Sequence, residues 1–411
     1  MSFQTGLSGL NASSRNLDVI GNNIANANTT GMKSARAEFN EIIASSLGAG
    51  GGSSAGIGVS VATVAQQFTQ GNISTTGNSL DVAVNGGGFF QLTQPDGSMA
   101  YTRDGSFKLD KDGYIKTNTG ANVMGYPTDK TGQPTSASTQ KLQLPTSAPI
   151  AANATKNIMA EFNLDSRAPV AASVVPPTPR ATYGTSLTVF DSQGATVPVS
   201  LYFERVASTV AAPPAVSTDN WNVYDSLAPA ATSLFTMSFD ATGALVSPAT
   251  AQALTIPTPS AVTPSISAAL DISKVTQFGA GFAVSNLTQD GYAPGELTGL
   301  SIGEGGVITA RYSNGQTQAA GQVTLADFRN VQGLSPLGGN AWSATFASGD
   351  PVQGAPGVGK LGALRSGALE ESNVDLTSEL VNMMTAQRAY QANAQTIKTQ
   401  DQVLSTLVNL R

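Results

Sequence analysis

Apolar residues recur at alternating steps of four and three through the last forty residues of the chain, 372–411. This spacing predicts a long α-helix with one apolar seam along its side, as in a coiled coil. Asn373 or Asp375 is placed to cap its start, and neither Gly nor Pro follows. Such a helix of about 36 residues would be about 54 Å long, beyond a typical globular helix. The seam comprises Leu376, Leu380, Met383, Gln387, Tyr390, Ala394, Ile397, Asp401, Leu404 and Val408.

A second apolar set flanks this seam, so the helix is expected to bury more than one stripe and to need several neighbours. The set comprises Val381, Met384, Val403, Leu407 and Leu410.

The N-terminal segment repeats the spacing more weakly, with apolar positions at Phe3, Leu7, Leu10, Leu17 and Ile24. Three glycines lie inside it, and each costs about 1 kcal/mol relative to Ala in a helix interior. The small residues Ser8, Gly9, Ala12 and Ser13 would let another helix approach closely. Two interpretations stay open: an ordinary helix pair packed on a globular core, or a two-helix coiled coil that is fully buried only between copies of the chain.

The stretch "NLDVIGNNIANANTTGMKS", residues 16–34, is rich in asparagine. Its asparagines fall on no single helical face, and asparagine favours caps and turns because its amide competes for backbone groups. Gly31 is a candidate for the left-handed position that ends many helices. We interpret the stretch as a junction at a helix end.

The middle of the chain predicts β structure. Asp96-Gly97, Asp104-Gly105 and Asp112-Gly113 lie eight residues apart between short alternating strands, which predicts a β-meander of tight hairpins. Glu304-Gly305 and Asn314-Gly315 predict further hairpins. Between them, residues 146–284 are rich in Ala, Pro, Ser and Thr, and "VFDSQGATV" and "SFDATGALV" share a Phe-Asp-x-x-Gly-Ala turn, which predicts a second all-β domain.

The expected fold is therefore multidomain and mostly β, with paired N- and C-terminal helices in a coiled-coil inner domain and two nested all-β outer domains. The boundaries are 1–30 for the N-terminal helix, 31–72 for a connecting segment with a long loop and a strand, 73–145 and 285–365 for the two parts of β domain 1, 146–284 for the inserted β domain 2, and 366–411 for the C-terminal helix.

Composition excludes several classes of function. The chain of 411 residues has 21 Lys and Arg against 27 Asp and Glu, a net charge of −6, and no basic cluster to neutralise phosphates, so nucleic-acid binding is not expected. Histidine and cysteine are both absent, which removes imidazole bases, thiolate nucleophiles and most transition-metal sites. We expect no enzyme activity, no catalytic residues and no cofactor.

Three local patterns resemble metal-binding, phosphate-binding or catalytic sites. "DKDG" at Asp110–Gly113 imitates the start of a calcium loop, but Lys116 stands where an oxygen ligand is needed, so no metal is expected. The glycine run "NGGGFF" does not match a phosphate-binding loop. The acid pairs Glu370/Glu371 and Asp375/Glu379 are interpreted as capping and solubility groups beside the C-terminal helix.

The start of the sequence has no basic segment followed by a continuous apolar run, so we expect no cleaved signal peptide. No stretch approaches the roughly 20 apolar residues that span a bilayer, so membrane insertion is not expected.

Three blocks in order resemble the axial proteins of the bacterial flagellum, the rod and hook proteins. They are "LSGLNASSRNLDVIGNNIANANTTGMKSARAEF" (7–39), "FTQGNISTTGNSLDVAVNGGGFFQL" (68–92) and "SNVDLTSELVNMMTAQRAYQANAQTIKTQDQVLSTLVNLR" (372–411). Residues 289–334 and the overall length are similar to the hook members in particular, since distal rod proteins are shorter and lack the second β domain. Residues 146–284 match only loosely, as expected of a variable outer domain.

The resemblance implies a subunit that leaves the cell unfolded through the flagellar export apparatus and polymerises outside into a helical tube, the curved universal joint between rod and filament. It implies that the paired helices form the inner tube and contact other subunits, and that the distal rod, the hook cap and the hook-filament junction proteins are partners. It places the protein outside the cell, in the flagellum.

Three alternatives stay open. A distal rod component would form a straight, stiff polymer instead of a curved one. A secreted β-rich adhesin or binding protein would explain the Ala-, Thr- and Pro-rich domain, but would not need an apolar seam at both ends of the chain. A hydrolase has only generic residues for support.

Overall fold

The computed structural model of the protein describes residues 2–43, 56–145, 149–171, 182–210, 217–228, 231–259 and 262–409. Helix α1 spans Ser2–Ala25, helix α2 spans Leu376–Asn409, and strands dominate the chain between them. The prediction of a mostly β chain with a helix at each end is therefore confirmed. The long loop predicted in the connecting segment 31–72 falls largely outside the described residues, which omit 44–55. Neither helix in the described ranges is long and apolar enough to cross a membrane.

The chain divides into two compact units. Unit 1 comprises Met1–Ser147, Gly299–Arg311 and Thr317–Arg411, and unit 2 comprises Ala148–Thr298 and Tyr312–Gln316.

Unit 1 begins with α1 and a two-stranded antiparallel ribbon formed by β1 (Ala35–Ile43) and β2 (Gly56–Gln66). The ribbon packs on α1, where Ser8 Oγ accepts a hydrogen bond of 3.3 Å from the backbone N–H of Val59. Gly58 has a φ of 140°, and a Cβ on it would lie 2.2 Å from Ser8 Oγ. Glycine is therefore required where the ribbon crosses the helix.

Eight short strands follow in unit 1, of which β4, β5, β6 and β9 are buried over most of their length. They are β3 (Ile73–Thr75), β4 (Val82–Asn85), β5 (Phe89–Thr93), β6 (Met99–Thr102), β7 (Phe107–Leu109), β8 (Ile115–Thr117), β9 (Asn122–Tyr126) and β10 (Gln140–Lys141).

Unit 2 contains two five-stranded sheets that share one apolar core. Their side chains meet face to face, as at Phe162 and Phe203, whose ring centroids lie 4.6 Å apart. The strands are β11 (Asn157–Asp165), β12 (Tyr183–Phe190), β13 (Thr196–Thr209), β14 (Thr218–Tyr224), β15 (Phe235–Phe239), β16 (Leu245–Ser247), β17 (Gln252–Ile256), β18 (Ile266–Asp271), β19 (Thr276–Phe278) and β20 (Ala283–Gln289). The sheet orders are β12-β13-β14-β15-β16 and β17-β18-β11-β19, with β20 also paired to β11.

The two Phe-Asp-x-x-Gly-Ala segments form the same turn in unit 2. Asp191 Oδ1 accepts hydrogen bonds from the backbone N–H groups of Gln193 and Ala195, at 2.9 and 2.8 Å. Asp240 Oδ1 accepts from Thr242 and Ala244 in the same way, at 2.8 and 3.0 Å. The turn prediction is confirmed at both positions, because a short carboxylate satisfies the amides that a tight turn leaves unpaired.

The chain then returns to complete unit 1 with nine strands and α2. These strands are β21 (Leu297–Ile302), β22 (Val307–Tyr312), β23 (Thr317–Val323), β24 (Leu325–Asp327), β25 (Ser335–Gly338), β26 (Ala341–Ser343), β27 (Val352–Gly354), β28 (Ala363–Ser366) and β29 (Ala368–Glu370). The main path of the largest sheet runs β21-β22-β23-β9-β5-β6-β26-β25, so three strands from before unit 2 lie between two groups of strands from after it. In addition, β28 pairs with β4 and β29 with β3.

The predicted β-meander is correct at two of its three turns. Asp96-Gly97 joins the antiparallel pair β5 and β6, and Asp112-Gly113 joins β7 and β8. Asp104-Gly105 is not a hairpin, because β6 pairs with β5 and β26 while β7 pairs with β8. A Cβ on Gly105 would lie 1.7 Å from the carbonyl oxygen of Val82, so this glycine serves close backbone packing.

Candidate functional site

The two terminal helices pack against each other in opposite directions. Near the start of α1, a Cβ on Gly9 would lie 3.0 Å from the Asn393 side chain, and one on Gly6 would lie 3.1 Å from Ile397. Near the end of α1, Asn23 Nδ2 donates a hydrogen bond of 3.3 Å to Glu379 Oε1. The glycines that weaken α1 as an isolated helix thus allow α2 to approach closely, as the small residues predicted.

The stripe of α2 that is least exposed differs in phase from the predicted seam. It consists of Glu379, Met383, Ala386, Asn393, Ala394, Ile397 and Gln400. Ala386 and Asn393 are small or polar, so a pattern based on apolar residues did not place them at the contact. Large apolar residues of α2 consequently lie outside it.

The predicted interface residues divide into three groups. Five of them are exposed: Leu7, Leu376, Leu380, Tyr390 and Leu404. Five are half-buried: Leu10, Leu17, Ile24, Met383 and Ile397. Phe3 and Val408 lie within the helices, but their side chains are outside the described part of the chain. Leu7 is 44% exposed and Leu404 54%.

Strands β1 and β2 also carry exposed large apolar side chains, which are not among the predicted interface residues. The alternation in "VSVATV" places Val59 and Val61 on one face of β2, but not Val64. We call this set of exposed residues, which lie on more than one face of α2 and of the ribbon, the apolar terminal surface: Leu7, Phe39, Ile42, Val61, Val64, Leu376, Leu380, Val381, Met384, Tyr390, Val403 and Leu404, all at least 37% exposed.

Two short segments connect α1 to β1 and β29 to α2. Asparagine side chains hydrogen-bond to both of them. Asn23 brackets Ala35: its Nδ2 donates to the Ala35 carbonyl at 2.8 Å, and its Oδ1 accepts from the Ala35 N–H at 2.9 Å. Asn373 Oδ1 accepts from the N–H of Ser34 at 2.7 Å, and its Nδ2 donates to the Gln67 carbonyl at 2.7 Å. The asparagine-rich stretch is therefore a junction, as predicted.

Gly31 has a φ of 69°, as predicted for a left-handed position, and a Cβ there would lie 2.5 Å from the backbone nitrogen of Asp104. Asp375 caps α2 by accepting from the N–H of Thr377 at 2.9 Å. Of the two predicted caps, Asp375 caps the helix, whereas Asn373 hydrogen-bonds to Ser34 and Gln67 in the junction. An open polar groove of about 750 Å³ runs beside the junction, from Ala27 to the start of α2 at Leu376.

The junction also contains a buried cluster of three charges, Lys33, Arg103 and Glu370, which we call the Glu370 cluster. Lys33 Nζ lies 2.5 Å from Glu370 Oε1, and Arg103 Nη1 lies 3.1 Å from Glu370 Oε2. The side chains of Lys33 and Glu370 are fully buried. Burial lowers the pKa of the Lys33 ammonium and of the Arg103 guanidinium, and the facing carboxylate opposes both shifts.

The expectation that Glu370 is a capping or solubility group is wrong. It lies in β29, five residues before the helix cap, and its carboxylate is paired inside the protein. Nothing in a single sequence distinguishes such a glutamate from its exposed neighbour Glu371, because the pairing cations are 337 and 267 positions away.

The other candidate sites have structural explanations. Asp110 pairs with Lys116. A Cβ on Gly86 would lie 2.9 Å from Gly362 Cα, and one on Gly88 would lie 3.0 Å from the Leu361 side chain, so the glycine run packs against a neighbouring backbone. Across the described ranges there is no group of three Asp or Glu residues that could hold a metal ion.

Four family models match successive parts of the chain. They are "Flagella basal body rod protein" over residues 3–33, "Flagellar hook protein FlgE/F/G D1 domain" over 83–159, "Flagellar basal body protein FlaE D2 domain" over 163–292, and "Flagellar basal body rod FlgEFG protein C-terminal" over 365–410.

Relatives match over the full length. The chain is 41% identical to the flagellar hook protein FlgE of Escherichia coli over 427 aligned positions and 42% identical to that of Salmonella typhimurium over 424, with complete coverage of both chains in each case. It is 35% identical to the FlgE of Rhizobium meliloti, covering 98% of that protein. Among solved structures, Helicobacter pylori FlgE2 matches with a TM-score of 0.55 and 15% identity, over 72% of this chain and 100% of that one, which supports the fold alone.

Proposed function

The chain belongs to the family of bacterial flagellar hook proteins and is a structural subunit of the hook, and we propose that it builds the hook by polymerising through its two terminal helices. The rod alternative is less favoured, because relatives named as hook proteins align over their whole length, including the 163–292 domain. A family of structural hook proteins also gives no reason to expect catalysis.

The apolar terminal surface is the observation that carries this proposal. Monomeric proteins rarely expose contiguous apolar patches of large size, and such patches mark interaction sites. Here twelve exposed large apolar residues lie on α1, α2, β1 and β2, whereas among the later strands of unit 1 that the structure describes the exposed ones are Met99, Leu337 and Val352. Covering one exposed leucine by a neighbour would contribute about 1.5–3 kcal/mol.

Other copies of the chain are the partner that fits this surface. An amphipathic helix that is weak by propensity gains most of its stability from packing, so helix order and assembly are coupled. The predicted interface residues on both helices, from Phe3 to Ile24 and from Leu376 to Val408, would lie in contacts between subunits. The paired helices, 1–30 and 366–411, would form a coiled-coil inner layer, and the two nested β domains would form outer layers.

The assembled tube would act as a curved universal joint that transmits torque from the rod to the filament. The distal rod, the hook cap, the hook-filament junction proteins and the export apparatus would be its partners, by family resemblance. Helices that are incomplete in the monomer would also suit export as an unfolded chain without a cleaved signal.

Sedimentation tests the proposal directly. The full chain is compared with a core that lacks residues 1–30 and 372–411, so that both helices are removed while Glu370 and β29 are kept. We expect the full chain to form sedimenting polymer and the core to stay monomeric with a folded β spectrum. Electron microscopy of the polymer separates hook from rod, since a hook is curved and a rod straight. A full chain that stays monomeric at all concentrations would reject the proposal.

A further inference from the structure

Unit 1 joins its helices to its β strands through two crossings of the backbone. The outgoing crossing runs from the end of α1 at Ala25 to β1, and the returning crossing runs from β29 to α2 at Leu376. Any force that passes between helices and β strands along the chain must pass through these two segments. Glu370, at the end of β29, is where they meet.

Glu370 holds four separate segments together. Its Oε1 accepts hydrogen bonds from Lys33 Nζ at 2.5 Å and from the Gly71 N–H at 3.0 Å. Its Oε2 accepts from Arg103 Nη1 at 3.1 Å, and its backbone carbonyl accepts from the Gly31 N–H at 2.8 Å. One residue of the returning crossing thereby binds the outgoing crossing twice, the segment before β3, and the end of β6.

The cations of the cluster are themselves anchored. Lys33 Nζ also donates to the Thr69 carbonyl at 2.7 Å, and Arg103 Nη2 donates to the Gly86 carbonyl at 2.9 Å. The Arg103 guanidinium lies 5.2 Å from the centre of the Phe89 ring, over the aromatic cluster of the β core. The contacts therefore run without a break from the crossings into the core.

A buried ion cluster is a poor source of net stability, since well-packed apolar residues of similar volume stabilise as well or better. Its directional hydrogen bonds instead specify one arrangement, because any slip of the crossings leaves a charge unpaired in an apolar environment. Such a cluster fits a position where geometry must be kept under load.

We propose that Glu370 is a positioning residue that fixes both crossings to the β core, so that α1 and α2 leave the β strands of unit 1 at one fixed point while the assembled tube bends. The inference rests on the proposed hook function, since only assembly loads these crossings. It goes beyond that function by naming the residue that joins the helices to the β strands.

The test compares Glu370→Gln with Glu371→Gln, the same substitution at the exposed neighbouring glutamate. Hydrogen exchange is measured by mass spectrometry on peptides covering 29–35, 69–72 and 366–374, with β4 and β5 as internal references. For Glu370→Gln we expect exchange about 100-fold faster in the crossing peptides, because one partner of a buried pair is lost, with the references unchanged. Glu371→Gln should match the unsubstituted protein.

Assembly is measured on the same samples, which separates two failures. If the unsubstituted chain does not polymerise, the proposed function fails whatever the exchange shows. If it polymerises and Glu370→Gln exchanges like Glu371→Gln, the positioning role is rejected. Tubes of Glu370→Gln should also show a wider spread of curvature than Glu371→Gln tubes in electron micrographs, and equal spreads would contradict the proposal.

Should Glu370→Gln unfold the whole unit, the milder Glu370→Asp decides. Its carboxylate is retained but is one methylene too short to reach both cations. We expect faster exchange confined to the crossing peptides. Crossings and β references that open together in Glu370→Asp would show a general stabilising role and overturn the inference.

Discussion

Leu92 in the β core of unit 1 is 2% exposed, whereas Leu380 on α2 is 51% exposed. The contrast extends to their surroundings. Val84, Phe90 and Val123 are fully buried beside Leu92, while Leu376 and Met384 lie exposed one turn on either side of Leu380. The β core is completed within one chain, whereas large apolar residues of α2 stay exposed in it. We therefore expect the stability of the β core to depend on its own side chains, and the stability of the helices to depend on protein concentration.

The largest expected effect is in the β core. Leu92→Ala should lower the free energy of unfolding of unit 1 by about 2–5 kcal/mol, because it removes buried contacts and leaves a cavity. Leu380→Ala is the matched substitution at an exposed site and should change the monomer by less than about 0.5 kcal/mol. Urea unfolding of both variants at monomeric concentration checks this. Equal effects at the two leucines would remove the contrast.

The second effect concerns the assembly of the chain through α2. Leu380→Ser should raise the concentration needed for polymerisation by about 10- to 100-fold, since a leucine that assembly buries contributes about 1.5–3 kcal/mol. Gln391→Ser, at an exposed polar position of the same helix, controls for the change in helix propensity. The critical concentration is read from sedimentation, and an unchanged value for Leu380→Ser would place this part of α2 outside the subunit contacts.

The third effect distinguishes the glycines of α1. A Cβ on Gly21 would meet no other atom within 4 Å, so Gly21→Ala should stabilise the helix by about 1 kcal/mol. Gly9→Ala should lack that gain, because its Cβ would lie 3.0 Å from the Asn393 side chain. Helicity by circular dichroism and helix exchange rates measure the difference. The same gain at both positions would mean that close approach of α2 does not constrain α1.

The smallest effect is in the response to acid. The Arg167 guanidinium holds the pKa of Asp165 at about 2, below the usual value near 3.8. A depressed carboxylate pKa stabilises the folded state above about pH 4, and this contribution is lost as the pH falls toward 2. Unit 2 should therefore lose stability across that window, as followed by the fluorescence of the buried Trp221 in a Trp342→Phe background. Asp165→Asn should reduce this dependence without abolishing it, because the pKa values of Asp219 and Asp240 in unit 2 are also lowered by their hydrogen bonds, and Leu380→Ser should leave it unchanged.

Local patterns in the sequence predicted those features whose causes are local. The period of α2 follows from its apolar spacing, and the turns at Asp96, Asp112, Asp191 and Asp240 follow from short carboxylates beside glycine. Gly31 was recognisable as a left-handed position because asparagines and a helix end precede it.

Features that depend on distant partners were not predictable. Asp104-Gly105 has the sequence of a hairpin turn, but its glycine packs on the β4 backbone. The role of Glu370 depends on its distant partners Lys33 and Arg103. Asn393 is part of the helix contact only because Gly9 and Ser13 face it. The phase of the α2 stripe was missed for this reason, since apolar periodicity reports large apolar residues and the contact uses small and polar ones.

Hydrogen exchange of the full chain, as dilute monomer and as polymer, tests the central claim most directly. The account predicts that amides of α1 and α2 exchange much faster than those of β4 and β5 in the monomer. In the polymer, the helices and the β1–β2 ribbon should gain protection while the β core stays the same. Helices as protected as the β core in the dilute monomer, with no gain on assembly, would contradict the claim that other copies of the chain complete them.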